Sequence, residues 1–151
     1  TAYEIYQCDW SSDVCSSDLI EDIIMAAPNI VALTTIKPHC VSVLPANTSR
    51  TSLLAAPTTG HVHKINSLVA ANLDASTAYN ATVEILMGDG TTYNKLASTI
   101  SVPANSSLVV IGKDNPIYLV DTSVTSEATA LHVTSSTGSK IQFTCSYDEI
   151  Y

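Results

Sequence analysis

The chain has 151 residues, with 14 acidic and 6 basic side chains and a formal net charge of −8 at pH 7. This length is enough for one domain with its own core. No apolar run approaches the roughly 20 residues that a membrane-spanning helix needs, and no secretory signal is visible at Met25.

The first 24 residues differ in character from the rest. Residues 9–19 read DWSSDVCSSDL, and one set of codons that encodes them resembles a sequencing-library adapter translated in one frame. The alternative is a genuine N-terminal loop rich in Ser and Asp. We expect residues 1–24 to be non-native adapter and leader sequence without ordered structure, and residues 25–151 to be the natural domain.

Removing this segment changes the charge. Six acidic residues and no Lys or Arg precede Met25, which leaves eight acidic and six basic side chains and a net charge of −2 for residues 25–151. A nearly neutral domain argues against nucleic-acid binding through a basic face.

Short apolar runs rich in β-branched residues, each closed by Asp, Asn, Gly or Pro, predict antiparallel strands. The runs span residues 29–36, 40–44, 48–54, 62–72, 81–87, 91–102, 108–111, 117–120, 128–133 and 141–147. No stretch shows a sustained helical period. We therefore expect an all-β fold: a single antiparallel β-sandwich of eight or nine strands, wired as a jelly roll or like an immunoglobulin domain.

Several runs allow finer predictions. Pro38 marks a break or an edge between the first two runs, and residues 48–54 form an exposed edge strand. The unbroken apolar run at residues 108–111 predicts a central strand buried on both faces. Residues 128–133 and 141–147 are expected to form the final pair of strands.

The run at residues 62–72 alternates imperfectly. Ile65 and Val69 favour one face, whereas Val62, Leu68 and Ala70 favour the other. Either burial on both faces or a β-bulge would explain this mixture.

A hairpin is predicted after residues 81–87, where Gly88-Asp89-Gly90 turns the chain. Before the turn the alternation points Val83, Ile85 and Met87 inward and Glu84 outward. After it, the alternation predicts a shared face for Leu96, Ile100 and Val102.

Two cysteines remain after Met25. Cys145 alternates with Ile141, Phe143 and Tyr147 and is expected to face inward as a small hydrophobic residue. We expect Cys40 and Cys145 to be free thiols, since a cytosolic assembly pathway keeps them reduced.

The histidines suggest a metal site only weakly. His61 and His63 lie two apart on a strand and share a face, as zinc ligands sometimes do, and His39 or His132 could add a third ligand. His132 alternates with Leu131 and Val133, which predicts a solvated side chain. No C-x-x-C pattern accompanies them, so we expect no metal site.

Other chemistry is also weakly indicated. Asp89, Asp114 and Asp121 could surround a calcium ion, but Asp-Gly and Asp-Asn-Pro are ordinary turn sequences. There is no G-x-S-x-G elbow or other context for a nucleophile. We therefore expect no catalytic residue, no cofactor and no enzymatic activity.

One family resemblance is carried by KINSL at residues 64–68, YNKLA at 93–97, ISVPA at 100–104, LVVI at 108–111, PIYL at 116–119 and CSYDEI at 145–150. Over residues 29–150 the chain resembles small structural proteins of marine tailed bacteriophages, such as those that infect cyanobacteria. The resemblance implies a virion structural protein, either a capsid decoration or cement protein or a neck or tail accessory protein. Its partners would be the major capsid, neck or tail proteins, and it would assemble into the virion in the host cytoplasm.

Self-association and a rival function complete the expectations. The first strand and residues 48–54 carry only Lys37 and Arg50 as protecting charges, which favours a homo-oligomer, with a trimer slightly favoured. The alternative is a carbohydrate-binding module of a phage fibre or surface protein. Such modules present aromatic platforms, whereas residues 25–151 contain no Trp, one Phe and scattered tyrosines.

Overall fold

The computed structural model of the chain describes residues 35–151, which form nine β-strands. The range contains no helix, and so none long and apolar enough to cross a membrane. The strands are β1 (Ile36–Val43), β2 (Thr51–Leu54), β3 (Val62–Asn72), β4 (Tyr79–Met87), β5 (Tyr93–Val102), β6 (Ser107–Ile111), β7 (Ile117–Leu119), β8 (Ala128–Ser135) and β9 (Ile141–Ile150). Residues 1–24, predicted to be adapter and leader, and residues 29–34 of the first predicted strand lie outside the described residues.

Two antiparallel sheets form a sandwich. Sheet A has the order β1-β9-β3-β6, with the short β7 also paired to β3, and sheet B has the order β2-β8-β4-β5. The pairings are nested, because β1 pairs with β9, β2 with β8, β3 with β6 and β4 with β5. This is the wiring of a jelly roll, in which a long antiparallel ribbon wraps across two sheets. The predicted all-β sandwich is confirmed, and the strand order is that of the jelly roll.

The core lies between the sheets. Each fully buried aliphatic or aromatic side chain there contributes about 1.5–3 kcal/mol through removal from water. The largest of them are Phe143, Ile65, Leu68, Leu119 and Ile141 from sheet A and Leu131, Val83, Val102 and Val133 from sheet B. Cys145 is buried and Cys40 is exposed, and both are free thiols, which confirms both cysteine predictions.

The irregular strand β3 contains a β-bulge between Ile65 and Ser67, where it pairs with β9. The extra residue shifts the alternation, so that Ile65 joins Leu68 and Ala70 on the buried face. The bulge was one of the two predicted explanations. The prediction that Ile65 shares a face with Val69, opposite Leu68, was wrong, since strict period-two counting fails across a bulge.

The predicted hairpin joins β4 to β5. The Gly90 N–H donates to the Met87 carbonyl (3.0 Å), and the Met87 N–H donates to the Thr92 carbonyl (2.9 Å). Gly90 has a φ of 71°, a left-handed conformation that glycine adopts without strain. The turn at residues 88–90 is therefore confirmed.

Strand β5 does not follow the predicted alternation. Its pairing with β4 shifts register twice, and Thr99 has a positive φ of 54°. Ala97 and Val102 are buried, whereas Leu96 and Ile100 are 36% and 40% exposed. The predicted shared buried face of Leu96, Ile100 and Val102 is wrong because two bulges intervene.

The edges of sheet A test two predictions: at Pro38 the predicted edge is confirmed and the predicted break is wrong, and the predicted central position of residues 108–111 is also wrong. β1 is one continuous strand through Pro38, which lies opposite Asp148 in an edge strand, where a missing N–H is tolerated. β6 was predicted to be central but lies at the other edge of sheet A, and Val109 is 61% exposed. An apolar run alone does not distinguish a central strand from an edge that is open for contact.

The last two strands do not pair with each other, contrary to prediction. β8 lies between β2 and β4 in sheet B, and β9 lies between β1 and β3 in sheet A. The segment 136–140 therefore carries the chain from one sheet to the other.

Candidate functional site

Three of the four histidines converge on one carboxylate at the end of sheet A where β3 begins and β9 ends. Their meeting follows from strand register, because His39 lies opposite Tyr147, and His63 lies opposite Glu149. We call this group the histidine cluster; its members are Lys37, His39, His61, His63, Tyr147, Glu149 and Tyr151. By strand alternation, they continue the inward face that carries Phe143 and Cys145 further along β9.

Glu149 lies at the centre of the histidine cluster. Its Oε1 is 2.9 Å from His61 Nδ1, and its Oε2 is 3.4 Å from His39 Nε2. The hydrogen bond from His61, followed by the positive potential of the histidines, lowers the pKa of Glu149 below its ordinary value. The carboxylate therefore stays ionised into the acidic range and can attract protonated imidazoles.

Aromatic contacts hold the rings in place. His39 stacks on Tyr147 with ring centroids 5.1 Å apart, and His61 stacks on Tyr151 at 4.3 Å. Lys37 Nζ lies 4.9 Å from the centre of the Tyr151 ring, within cation–π range. These contacts tie β1 to the last residues of β9.

His63 is the most buried histidine of the chain's described part, with 7% of its surface exposed. Its ring packs against Tyr147 at 4.8 Å, and its Nδ1 is buried without a hydrogen-bond partner. Burial lowers the pKa of His63, an effect that the charge of Glu149 opposes and that of His39 and His61 reinforces. The neutral imidazole is thus the favoured form in the folded chain.

The metal hypothesis can now be compared with the geometry. The structure brings His39 to His61 and His63 but places His132 on sheet B, so the fourth histidine is not part of this group. Among residues 35–151, no three His, Cys, Asp or Glu side chains are arranged to hold a metal ion. The nitrogens of His39 and His61 already face the oxygens of Glu149.

A second polar group, the Arg50 cluster (Arg50, Glu84, Tyr93 and His132), covers the outer face of sheet B. Arg50 Nε donates to Glu84 Oε2 at 2.6 Å, and the central carbon of the guanidinium, Cζ, lies 3.6 Å from the centre of the Tyr93 ring. Glu84 points outward as predicted, yet it is only 5% exposed because Arg50 and its neighbours cover it. The hydrogen bond from Arg50 lowers the pKa of Glu84.

His132 belongs to this cluster and is partly buried, whereas a solvated side chain was predicted. It contacts Tyr93 edge-on at 5.4 Å, and its Nδ1 is buried without a hydrogen-bond partner. Burial, followed by the nearby charge of Arg50, lowers its pKa. Alternation correctly predicted that His132 points to the outer face of sheet B. It could not predict that the long side chains of Arg50, just before β2, and Tyr93, on β5, cover that face.

The three aspartates considered for calcium each serve their own turn. Asp89 accepts hydrogen bonds from the Thr92 hydroxyl and from the N–H groups of Thr91 and Thr92, which lower its pKa to about 2. Asp114 is exposed and pairs with Lys113 at 3.2 Å.

Asp121, the third of these aspartates, is used in the same local way. It accepts from the N–H and hydroxyl of Ser123 and from the N–H of Gly60. Hydrogen bonding of this kind explains Asp in turns without a bound ion.

Sequence reasoning missed the carboxylates and tyrosines that complete both clusters. Tyr147, Glu149 and Tyr151 alternate with Cys145, so a period of two already placed them on one face of the last strand. No local signal could bring them to His39, which lies more than a hundred residues earlier in the chain.

Comparisons with known proteins give no family. No protein-family model matches the chain, and no curated protein sequence matches it. Among solved structures, that of infectious bursal disease virus Gx strain is similar, with 13% identity over 78% of this chain and 32% of that chain, and a TM-score of 0.34. T=1 particles derived from the virus give 14% identity, 76% and 32% coverage, and a TM-score of 0.33.

The crystal structure of the VP2 subviral particle of the same virus gives 13% identity and a TM-score of 0.31, over 76% of this chain. This chain spans 32% of the length of those chains. A likeness of this size carries no argument about function.

Proposed function

We propose that the chain is a structural protein of a bacteriophage virion, a capsid decoration or cement protein or a neck or tail accessory protein, which acts by docking to other virion proteins. The observation that carries the proposal is that the edge strands of both sheets carry almost no charged side chains. β1 and β2 form one open side of the sandwich, and β5 and β6 form the other. Lys37 and Lys95 are the sole Lys, Arg, Asp or Glu residues on these four strands.

Exposed apolar side chains concentrate on the same strands and on β7, which extends the β6 edge. Ile36 on β1, Leu96 and Ile100 on β5, Val109 on β6 and Tyr118 on β7 are the large hydrophobic residues that the described strands expose. Monomeric sandwiches protect their edges with charge, proline or bulges. Here β1 contains Pro38 and β5 contains two bulges, but charge is nearly absent from all four edge strands. Edges that are apolar and nearly uncharged are typical of surfaces covered by another protein.

The fold is consistent with this role without proving it. Jelly rolls occur in viral shell proteins and also in lectins and cupins, so fold alone does not assign function. The net charge of −2 over residues 25–151 provides little repulsion between copies. We therefore retain the expectation of a symmetric homo-oligomer, with a trimer slightly favoured, assembled in the host cytoplasm and carried on the virion.

The aromatic contacts favour docking over the alternative of a carbohydrate-binding module. A sugar platform needs an aromatic face open to solvent. The rings of Tyr147 and Tyr151 are stacked on histidines, and Tyr93 is covered by Arg50. Tyr118 is exposed, but no other exposed aromatic side chain of the described strands extends it into a platform.

Mass spectrometry of purified particles, together with a particle map, tests the virion assignment. Light scattering at micromolar concentration tests self-association, with Ile100→Lys and Val109→Lys as edge variants and Thr59→Lys, in an exposed loop, as the matched control. We expect the edge variants to lower the molecular mass or the particle occupancy and the control to leave both unchanged. A monomer that is absent from particles would refute the proposal.

A further inference from the structure

The histidine cluster sits where the two ends of the described chain meet. Thr35 and Tyr151 exchange backbone hydrogen bonds of 3.0 and 3.2 Å, and Lys37 lies opposite Glu149. We define the latch as residues 36–39 of β1 and residues 147–151 at the end of the chain. We propose that His63 is the acid sensor of this latch: protonation of its buried ring releases the latch from β3.

The surroundings of His63 explain why a proton there is unfavourable. β9 presents Tyr147 and Glu149, and β1 presents Lys37 and His39. His61 lies on the same face, just before β3 begins.

The other neighbouring elements supply little that could stabilise the proton. β7 presents Leu119 opposite His63, and Tyr118 on the other face of the strand. Asp121 follows β7 but is already engaged with Gly60 and Ser123. β2 and β8, the strands of sheet B that contact β1 and β7, contribute one titratable residue, His132, which faces the outer side of that sheet.

Acidification changes the charge balance of this group. At neutral pH, Lys37 and Glu149 provide one charge of each sign. A proton on the His63 ring adds a second positive charge beside Lys37, against the single carboxylate of Glu149. Glu149 can pair with His39 and His61, which already face its oxygens, but the buried Nδ1 of His63 has no acceptor.

Whether acid stabilises or destabilises the closed latch follows from the difference between the pKa of His63 in the closed and in the open latch. Burial lowers the pKa of His63, so the stability that depends on its neutral form is full above about pH 6.5 and is lost as the pH falls toward the lowered value. For each unit by which the pKa is lowered, opening that exposes the ring becomes about tenfold more favourable in acid.

The opening should be local. β1 is an edge strand whose pairing partner among the described strands is β9, and its first half has exposed side chains. Further along the same strands, Val41 and Val43 lie opposite Cys145 and Phe143, which belong to the core. Tyr147 is the latch residue that packs against the core, so the latch can separate with loss of that contact while the rest of the core between the sheets stays packed.

Hydrogen exchange read by mass spectrometry, at about pH 7.5 and about pH 5 and corrected for the intrinsic rate, tests the proposal. We expect the latch to lose protection in acid, while residues 141–145 keep theirs. His63→Phe keeps an aromatic ring that cannot be protonated, and it should abolish the acid response. His132→Phe is the matched control, because His132 is partly buried and also has a buried Nδ1 without a partner, but it lies on sheet B.

Several results would overturn the proposal: unchanged latch protection in acid, an equal loss in His63→Phe, abolition of the response by His132→Phe, or loss of protection across the whole domain. If His63→Phe does not fold, NMR titration of the unaltered chain replaces it. The amide shifts of residues 147–151 should then change with the midpoint of the His63 ring, and a different midpoint would refute the mechanism.

Discussion

Replacing Ile65 with Ala tests the most consequential irregularity of the fold, the bulge in β3. Ile65 is fully buried because the bulge turns it onto the same face as Leu68 and Ala70. In an uninterrupted strand it would share a face with Val69, which is only partly buried. Comparing the loss of unfolding free energy caused by Ile65→Ala with that caused by Val69→Ala therefore shows which register the strand adopts.

The expected cost follows from the atoms removed. Ile→Ala deletes three carbon groups, and at about 0.8 kcal/mol each their transfer to water accounts for about 2.4 kcal/mol. A partly relaxed cavity adds to this, so we expect Ile65→Ala to lower the free energy of unfolding by about 3–4 kcal/mol. For a domain of this size, this corresponds to a fall in Tm of roughly 12–16 °C.

Val69→Ala is the matched control on the same strand. It deletes two carbon groups from a partly buried site, and we expect a cost of about 1 kcal/mol or less. Urea denaturation at pH 7 gives both values, provided that the dependence of stability on urea is the same for each variant. A cost for Val69→Ala equal to or greater than that for Ile65→Ala would refute the bulged register.

Three further predictions concern other regions. A chain that begins at Met25 should unfold at nearly the same temperature as the full chain, and failure of this shortened chain to fold would contradict the proposal that residues 1–24 are not part of the domain. In the shortened chain, a thiol reagent at pH 8 should modify Cys40 rapidly and Cys145 only on unfolding, since burial raises the pKa of Cys145 to about 12; equal rates would be inconsistent with the fold. Arg50→Met should lower the urea midpoint at pH 7 and much less at pH 4, because Glu84, whose pKa Arg50 holds down, is protonated sooner without the guanidinium; an equal loss at both pH values would argue against the pairing.

Local sequence signals predicted most of the fold. Periods of two ending at Gly, Asn, Asp or Pro located the strands, and Gly88-Asp89-Gly90 gave the β4–β5 hairpin. Errors occurred where the period is interrupted, as at the bulges in β3 and β5. Strand position was also beyond reach, because LVVI in β6 is as apolar as a central strand although it lies at an edge.

The candidate site was less predictable than the fold. His61 and His63 were recognised as a pair sharing a face, and the structure places them together on the inner face of sheet A. Their partners His39 and Glu149 come from opposite ends of the domain and meet only through the β1–β9 register. Such contacts depend on the order of strands in the sheet, which no single-sequence pattern specifies.

The nested wiring also determines when the fold can form. β9 lies between β1 and β3 in sheet A, and β8 lies between β2 and β4 in sheet B. During synthesis, sheet B therefore lacks an inner strand until β8 has left the ribosome, and sheet A lacks one until β9 has left it. Until then, β1, β2, β3 and β4 each keep an unpaired edge. Contacts between segments that are far apart in the sequence make the last step of folding slow. We infer that termination before β8 leaves both sheets without an inner strand, that termination between β8 and β9 leaves sheet A without one, and that such chains are prone to aggregation.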